Sequence, residues 1–487
     1  MRFFLPALLL MVHVSSAQSA VNPMLQPAQM KSDFTYLRTK LEQTHPGLYI
    51  HQPKERMQRT MDSLFSTLQL ALPFTKFYKK IAFLIAEVRC EHTYVAMGHQ
   101  QEPLLKSWSM LPFQLYFSGP RPVVVVNGTT DAAIRPGDEV IAVNGRPIDS
   151  VLRVLYQYLP SDGFMTTSKD EFLGSMSFSF VYNQFIEQAS EYEMVVRNEQ
   201  GDTIRRKYSS ALTFADINKN ALNNPVNKPV LDASKQRTKA RKEELQLSFG
   251  PEPGLAIMNV RSFSIDKNKF RQKIDGFFSA ISAKGSTDLL IDLSYNGGGE
   301  EELAAYLMSY LISTPTKFME QEYLIDTSAA TLRLSNVPEE VRRNLYAYID
   351  TMKDGKSTAR ISEYAMELVT MEPRANGFKG RVWLYVNGGT SSAASTFAAV
   401  AQSNHRATLI GEETAGSFSG GGTVLGLDLT LPASGIVAHT SIVYQVFATT
   451  GKDGNRGVIP DISYRPDYKS LLQGNDKLIE LVMQHLH

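Results

Sequence analysis

The chain has 487 residues, of which 43% are hydrophobic, ample for buried cores, and the length predicts about three domains. Lys and Arg total 50 against 49 Asp and Glu, a net charge of +1, so no electrostatic case exists for nucleic-acid or anionic-membrane partners. The single cysteine, Cys90, excludes an internal disulfide and a paired-cysteine metal site. No metal or cofactor is expected.

The N-terminus, Met1-Arg-Phe-Phe-Leu-Pro-Ala-Leu-Leu-Leu-Met-Val12, carries one positive charge and then an apolar run too short to span a bilayer. Ser15-Ser-Ala17 follows as a small-residue cleavage site. Residues 1–17 are therefore expected to be a signal peptide, and the mature protein to be exported to the periplasm or the cell exterior without a membrane span. Residues 18–100 carry apolar positions at helical spacing, as in Phe34, Leu37 and Leu41 or Met57, Met61, Leu64 and Leu68, which predicts an N-terminal helical region.

From 105 to 210 the pattern changes to short strands. Pro122-Val-Val-Val-Val-Asn127 and Gly137-Asp-Glu-Val-Ile-Ala-Val-Asn-Gly145, followed by the amphipathic 151–159, resemble a PDZ domain. Residues 164–189 read as an insertion before its last hairpin. Residues 215–244, rich in Asn, Lys and Arg, read as a polar linker. From 245 to 470, strand-like and helix-like segments alternate, which predicts an α/β domain built on a parallel sheet. Within it, 328–372 reads as a polar helical insertion placed to act as a lid, and 471–487 closes the chain as a C-terminal helix.

Two strand ends carry chemistry. Arg-Val-Trp-Leu-Tyr-Val386 reads as a buried strand, Gly388 and Gly389 turn the chain, and Ala393–Ala401 reads as a helix. Ser392 stands at the junction, where free amides and the helix dipole would stabilise charge developing on an attacked carbonyl. Thr390, Ser391 and Ser392 are equally good helix caps, which is the purely structural alternative. Upstream, Asp288-Leu-Leu-Ile-Asp-Leu-Ser-Tyr-Asn-Gly-Gly-Gly299 is a hydrophobic strand ending in three glycines, whose amides can approach a ligand closely. Phosphate is the rival ligand, opposed by Glu300, Glu301 and Glu302 at the start of the next helix.

These segments, with Arg406-Ala-Thr-Leu-Ile-Gly-Glu-Glu-Thr-Ala-Gly416 and Gly457-Val-Ile-Pro-Asp461, resemble the tail-specific (C-terminal-processing) serine peptidase family. The resemblance implies a crotonase-like or ClpP-like α/β core, Ser392 as nucleophile, and an oxyanion hole from Ala393 with Gly298 or its neighbour Gly297. Members with a Ser-Lys dyad carry lysine after the Gly-Glu-x-Thr-x-Gly turn, where this chain has Ser417. The chain is therefore closest to the tricorn-like branch, which draws its base from a histidine before the PDZ-like domain.

Cys90-Glu-His-Thr-Tyr-Val95 supplies that histidine, so His92 is the expected general base, with His439 the alternative. The branch places a glutamate in the loop before the Gly-Val-x-Pro-Asp run and a serine before the histidine. Here Asp453 is the loop's one acid and Glu91 precedes His92; Ser395 stands where dyad members show glutamate. The expectation is an exported serine peptidase acting on peptides or unfolded proteins through Ser392, His92 and Asp453. The alternative is a catalytically impaired member that binds peptides or hydrophobic ligands.

Overall fold

The computed structural model describes residues 22–108, 110–117, 119, 121–174, 177–240, 243–250, 254–326, 329–336, 339, 349–351, 357–359, 370–451, 454–473 and 477–485. The expected signal peptide, Asp453 and most of the expected 328–372 insertion lie outside them. The described parts of that insertion include the helix Ala329–Leu334 and an antiparallel pair, Ile349–Thr351 with Ser357–Ala359. Among the described residues, no helix is long and apolar enough to cross a membrane.

Six strands form the sheet that positions the two glycine turns. Their order is Leu245–Phe249, Leu255–Val260, Asp288–Asp292, Arg381–Val386, Thr408–Gly411 and Ile462–Ser463. The first pair is antiparallel and every later pair is parallel. A parallel sheet is covered on both faces, and its strands are accordingly near-continuous apolar runs. In Asp288–Asp292, Leu289 and Ile291 join Phe270, Ile274 and Phe278 of the helix Lys267–Ala283 and Phe397 and Val400 of the helix Ala393–Ser403. Leu290 points the other way, onto Trp383, Tyr385 and Leu478 and Val482 of the helix Lys477–Gln484. The period of two along one strand therefore builds two cores.

A second, antiparallel sheet runs Phe113–Tyr116, Val123–Asn127, Glu139–Val143, Glu191–Arg197, Thr203–Ser209, with Arg146–Pro147 paired beside the third strand. The segment read as an insertion at 164–189 folds as two helices, Thr167–Leu173 and Ser177–Phe185, before the closing hairpin. Phe178 and Tyr182 are buried there, in one core with Leu37, Leu41 and Phe77 of the N-terminal helices Pro27–Thr44 and Phe74–Val88. That core also takes in Leu427, Leu429 and Ala438. A third sheet, Gly426–Thr430, Val437–Ser441 and Tyr94–Ala96, is completed by a strand from the N-terminal region. This strand does not join the six-stranded sheet; it pairs with a hairpin that follows that sheet's last long strand in sequence.

The polar stretch 215–244 is not an extended linker. It carries the helices Phe214–Asn223 and Lys228–Ala240, the first closed by a reciprocal Thr213–Asp216 capping box. Ile217, Ala221 and Val230 are buried. Asn227 is the anchor: fully buried, it donates to Asn127 O at 2.7 Å and Ala221 O at 2.9 Å and accepts from Asn127 N–H at 2.9 Å. The polar composition masked a few buried contacts that suffice to dock the helices. Replacing Asn227 by Ala strands Asn127's backbone groups in the interior, at a cost of about 1–3 kcal/mol. Calorimetry of N227A should show a lower melting midpoint than wild type; an unchanged midpoint would mean that the helices are not held by this contact.

Candidate active site

The two glycine turns meet because their strands are neighbours. Asp292 is the register partner of Tyr385, so both strands end at one edge of the sheet. Thr390 Oγ1 donates to Leu293 O and Ser391 N–H to Asn296 O, each at 3.0 Å. Tyr295 N–H donates to Asn387 Oδ1 at 2.9 Å. These bonds hold Ser392 at φ 51 and ψ −132 as it opens the helix Ala393–Ser403. Such a backbone costs a non-glycine residue on the order of 1–3 kcal/mol and persists only where its surroundings enforce it.

Gly298 is the close partner of that turn. With φ +91, a Cβ on it would lie 2.6 Å from Ser392 Cβ, 2.9 Å from Ser391 O and 3.0 Å from Ala393 N. No other residue fits. Its own amide, however, donates to Asn296 Oδ1 at 2.9 Å, which takes it away from the oxyanion role expected of it. Among the described residues, the amides of Gly297 and Ala393 have no protein acceptor, and Gly297 is exposed. The turn is supported from below by Ser395, buried, whose Oγ donates to Thr390 O at 2.8 Å and accepts from Gly416 N–H at 3.1 Å. Ser395 is thus a structural tie. Glu301 lies against the same helix, 3.3 Å from Thr396 Oγ1, and burial with Glu322 nearby pushes its carboxyl up to about 8.

His92 reaches this edge from the N-terminal region. The helix Phe74–Val88 ends at Arg89 in the left-handed conformation, and a turn closed by Thr93 N–H to Cys90 O at 3.0 Å presents His92. Thr93 is fully buried. Its Oγ1 accepts from Ser441 N–H at 3.2 Å and sits 3.0 Å from His45 Nε2. Gly47 N–H donates to His45 Nδ1 at 3.1 Å, which places the His45 proton on Nε2, toward Thr93. Burial pushes His45 down to about 4, so it stays neutral. It therefore serves as a brace.

Burial also holds His92 below the ordinary imidazole range; the Glu91 carboxylate opposes this and His439 adds to it. Glu91 Oε1 lies 3.6 Å from His92 Nε2, each side chain being 16% exposed. The same oxygen accepts a short hydrogen bond from Ser391 Oγ. Among the described residues, Ser392 Oγ has no hydrogen-bond partner, His92 included. The alternative base, His439, is committed elsewhere: Nδ1 is 2.8 Å from Asp428 Oδ1 and the ring stacks on Tyr94 at 5.1 Å.

Other polar residues of these segments are held in structural contacts. Ser417 Oγ donates to Gly454 O at 3.0 Å. Asp461 accepts from Leu409 N–H at 2.8 Å and ties the sheet's last strands together. His405 closes the helix after Ser392 with φ 52. Cys90 is buried, and burial pushes its thiol up, so it is not a nucleophile. Sequence reading missed Asp162, 4% exposed, which accepts from Glu91 N–H at 2.8 Å. A single acid in a Ser-Asp-Gly turn carries no signal that it meets residues 71 positions away.

Residues 254–464 match the model for peptidase family S41. The chain resembles the crystal structure of mature CPAF, with a TM-score of 0.62 at 16% identity, covering 94% of this chain and 97% of that one. This is a shared fold over nearly the whole length. The photosystem II D1 C-terminal processing protease has a TM-score of 0.39 at 14% identity over 91% of this chain and 96% of its own. The tricorn protease has 0.38 at 13% identity over 94% of this chain and 36% of its own. No curated protein matches the sequence.

Gly298→Ala tests the geometry. The added methyl displaces the Ser392 turn, and a displacement of about 1 Å costs on the order of 100-fold in rate. Labelling of G298A by a serine-directed fluorophosphonate should slow by that factor with an unchanged circular dichroism spectrum. Wild-type labelling would mean that the two turns do not bear on each other.

Proposed function

We propose that the protein is an exported serine peptidase that cleaves peptides or unfolded proteins by acyl transfer, with Ser392 as nucleophile and His92 as general base. One observation carries the reading: a strained serine opens a helix against a glycine that no larger residue can replace, at the strand edge to which an otherwise remote segment delivers a histidine. The peptidase family match over 254–464 supports the reaction class. The Ala393 amide and that of Gly297 are the oxyanion donors in this reading.

The chemistry follows from the groups in place. Ser392 Oγ attacks the carbonyl carbon while its proton passes to the neutral imidazole of His92. The carbonyl oxygen gains charge at the helix N-terminus, where amides and dipole stabilise it. His92 then protonates the leaving amine as the C–N bond breaks. Water, deprotonated by His92, cleaves the acyl-serine, and the proton returns to Oγ.

Mapping of a fluorophosphonate adduct should place it on Ser392, and Ser392→Ala should abolish both adduct and peptide cleavage while the protein still folds. An adduct on Ser391 would overturn the assignment. Because a histidine accepts a proton only when neutral, kcat/KM should rise with pH, and burial of His92 sets the midpoint below the ordinary value of about 6.5. A rise only above pH 8 would point to a different base.

The antiparallel sheet bears on substrate choice. Its edge strand Phe113–Tyr116 pairs on one side alone within the sheet, and in a PDZ-like arrangement such an edge accepts an extended peptide tail. Cleavage of one peptide should then be faster with a free C-terminal carboxylate than with an amide. Equal rates would leave this sheet as a spacer.

A further inference from the structure

We propose that Glu91 is the acid that positions His92, one carboxylate spanning the base and the nucleophile turn in the place sought for Asp453. The proposal rests on the Ser392–His92 reading and adds the group that stabilises the imidazolium formed in it.

The geometry points to Glu91 because a single oxygen meets both catalytic segments. Oε1 lies within ion-pair distance of His92 Nε2 and accepts the hydroxyl of Ser391, the residue immediately before the nucleophile. The two segments are 300 positions apart in sequence, and this is a direct side-chain link between them. At 16% exposure the pair is only partly screened by water, so a charge on the imidazole is felt more strongly than at the surface. Among the described residues, His92 is the one ion-pair partner of Glu91.

The surroundings hold the backbone of Glu91 in place. Its backbone N–H donates to Asp162 Oδ1, and Asp162 also accepts from the backbone of Ser417. Burial and the neighbouring Glu91 hold the Asp162 carboxyl well above the usual carboxylate range. The strand Val437–Ser441 contributes His439, already paired with Asp428. When Ser392 gives its proton to His92, the resulting cation is formed within ion-pair distance of the Glu91 carboxyl group. Glu91 itself exchanges no proton.

Glu91→Gln keeps the size and an acceptor for Ser391 but removes the charge. Its kcat should fall on the order of a hundredfold or more, by analogy with triad acids, with KM little changed. The acid limb of the pH profile should move to lower pH, because the charged imidazole has lost its stabilising partner; Glu91→Asp should restore part of both. A wild-type kcat and an unmoved acid limb in E91Q, with His92→Ala inactive, overturn the proposal and leave the Ser392–His92 reading standing. Activity in His92→Ala overturns that reading instead. If E91Q fails to fold, the His92 ring-proton titration in Glu91→Asp by NMR decides: a lowered midpoint supports the coupling, and an unmoved one overturns it.

Discussion

The site depends on one register. The pairing of Asp288–Asp292 with Arg381–Val386 in parallel sets two strand ends side by side, and everything that follows them must share the space just beyond. One chain leaves through glycines and the other through Ser391 and Ser392. The clearance between them is less than a methyl group, as the 2.6 Å separation of a Gly298 Cβ from Ser392 Cβ shows. Packing of that closeness permits only one arrangement of the serine backbone, and the strain at Ser392 is sustained by the hydrogen bonds from Thr390 and Ser391 into the neighbouring strand end.

The histidine is delivered by a different kind of contact. Tyr94–Ala96 adds to the edge of a hairpin whose second strand follows the helix Ala393–Ser403 in sequence by more than thirty positions. Three residue pairs of a strand are a weak attachment by themselves. They are backed by a buried Thr93 braced by His45, and by the common core that joins the N-terminal helices to Leu427, Leu429 and Ala438. Apolar burial thus holds the segment, while hydrogen bonds orient its tip.

Burial also decides which groups around the site are charged. His45 is kept neutral and braces; His92 is kept neutral at rest and is available as a base. Asp162 is disfavoured as an anion by burial, with Glu91 beside it adding to the effect. Two nearby acids with different environments take different roles, one that ties backbone amides and one that faces the histidine.

Much of this was legible in the sequence, because periodicity and turn chemistry are local. The run Leu289-Leu-Ile291 is apolar at every position because both faces of a parallel strand are covered, and a glycine run after it marks a close approach of backbone. Ser392 was legible as the polar residue between a buried strand and an Ala-rich helix. His92 and the glycine-run donors came from resemblance to a family, and there the tertiary structure redistributed the parts: Gly298 spends its amide on Asn296, and the strand after His92 joins a separate sheet. The helices of 215–244 escaped notice because their polar exteriors outnumber the few buried positions. What composition and spacing had no means to show was that Glu91, Ser391 and Asp162 converge. Hydrogen bonds between residues 71 and 300 positions apart leave no periodic trace, and only the folded chain brings them within reach.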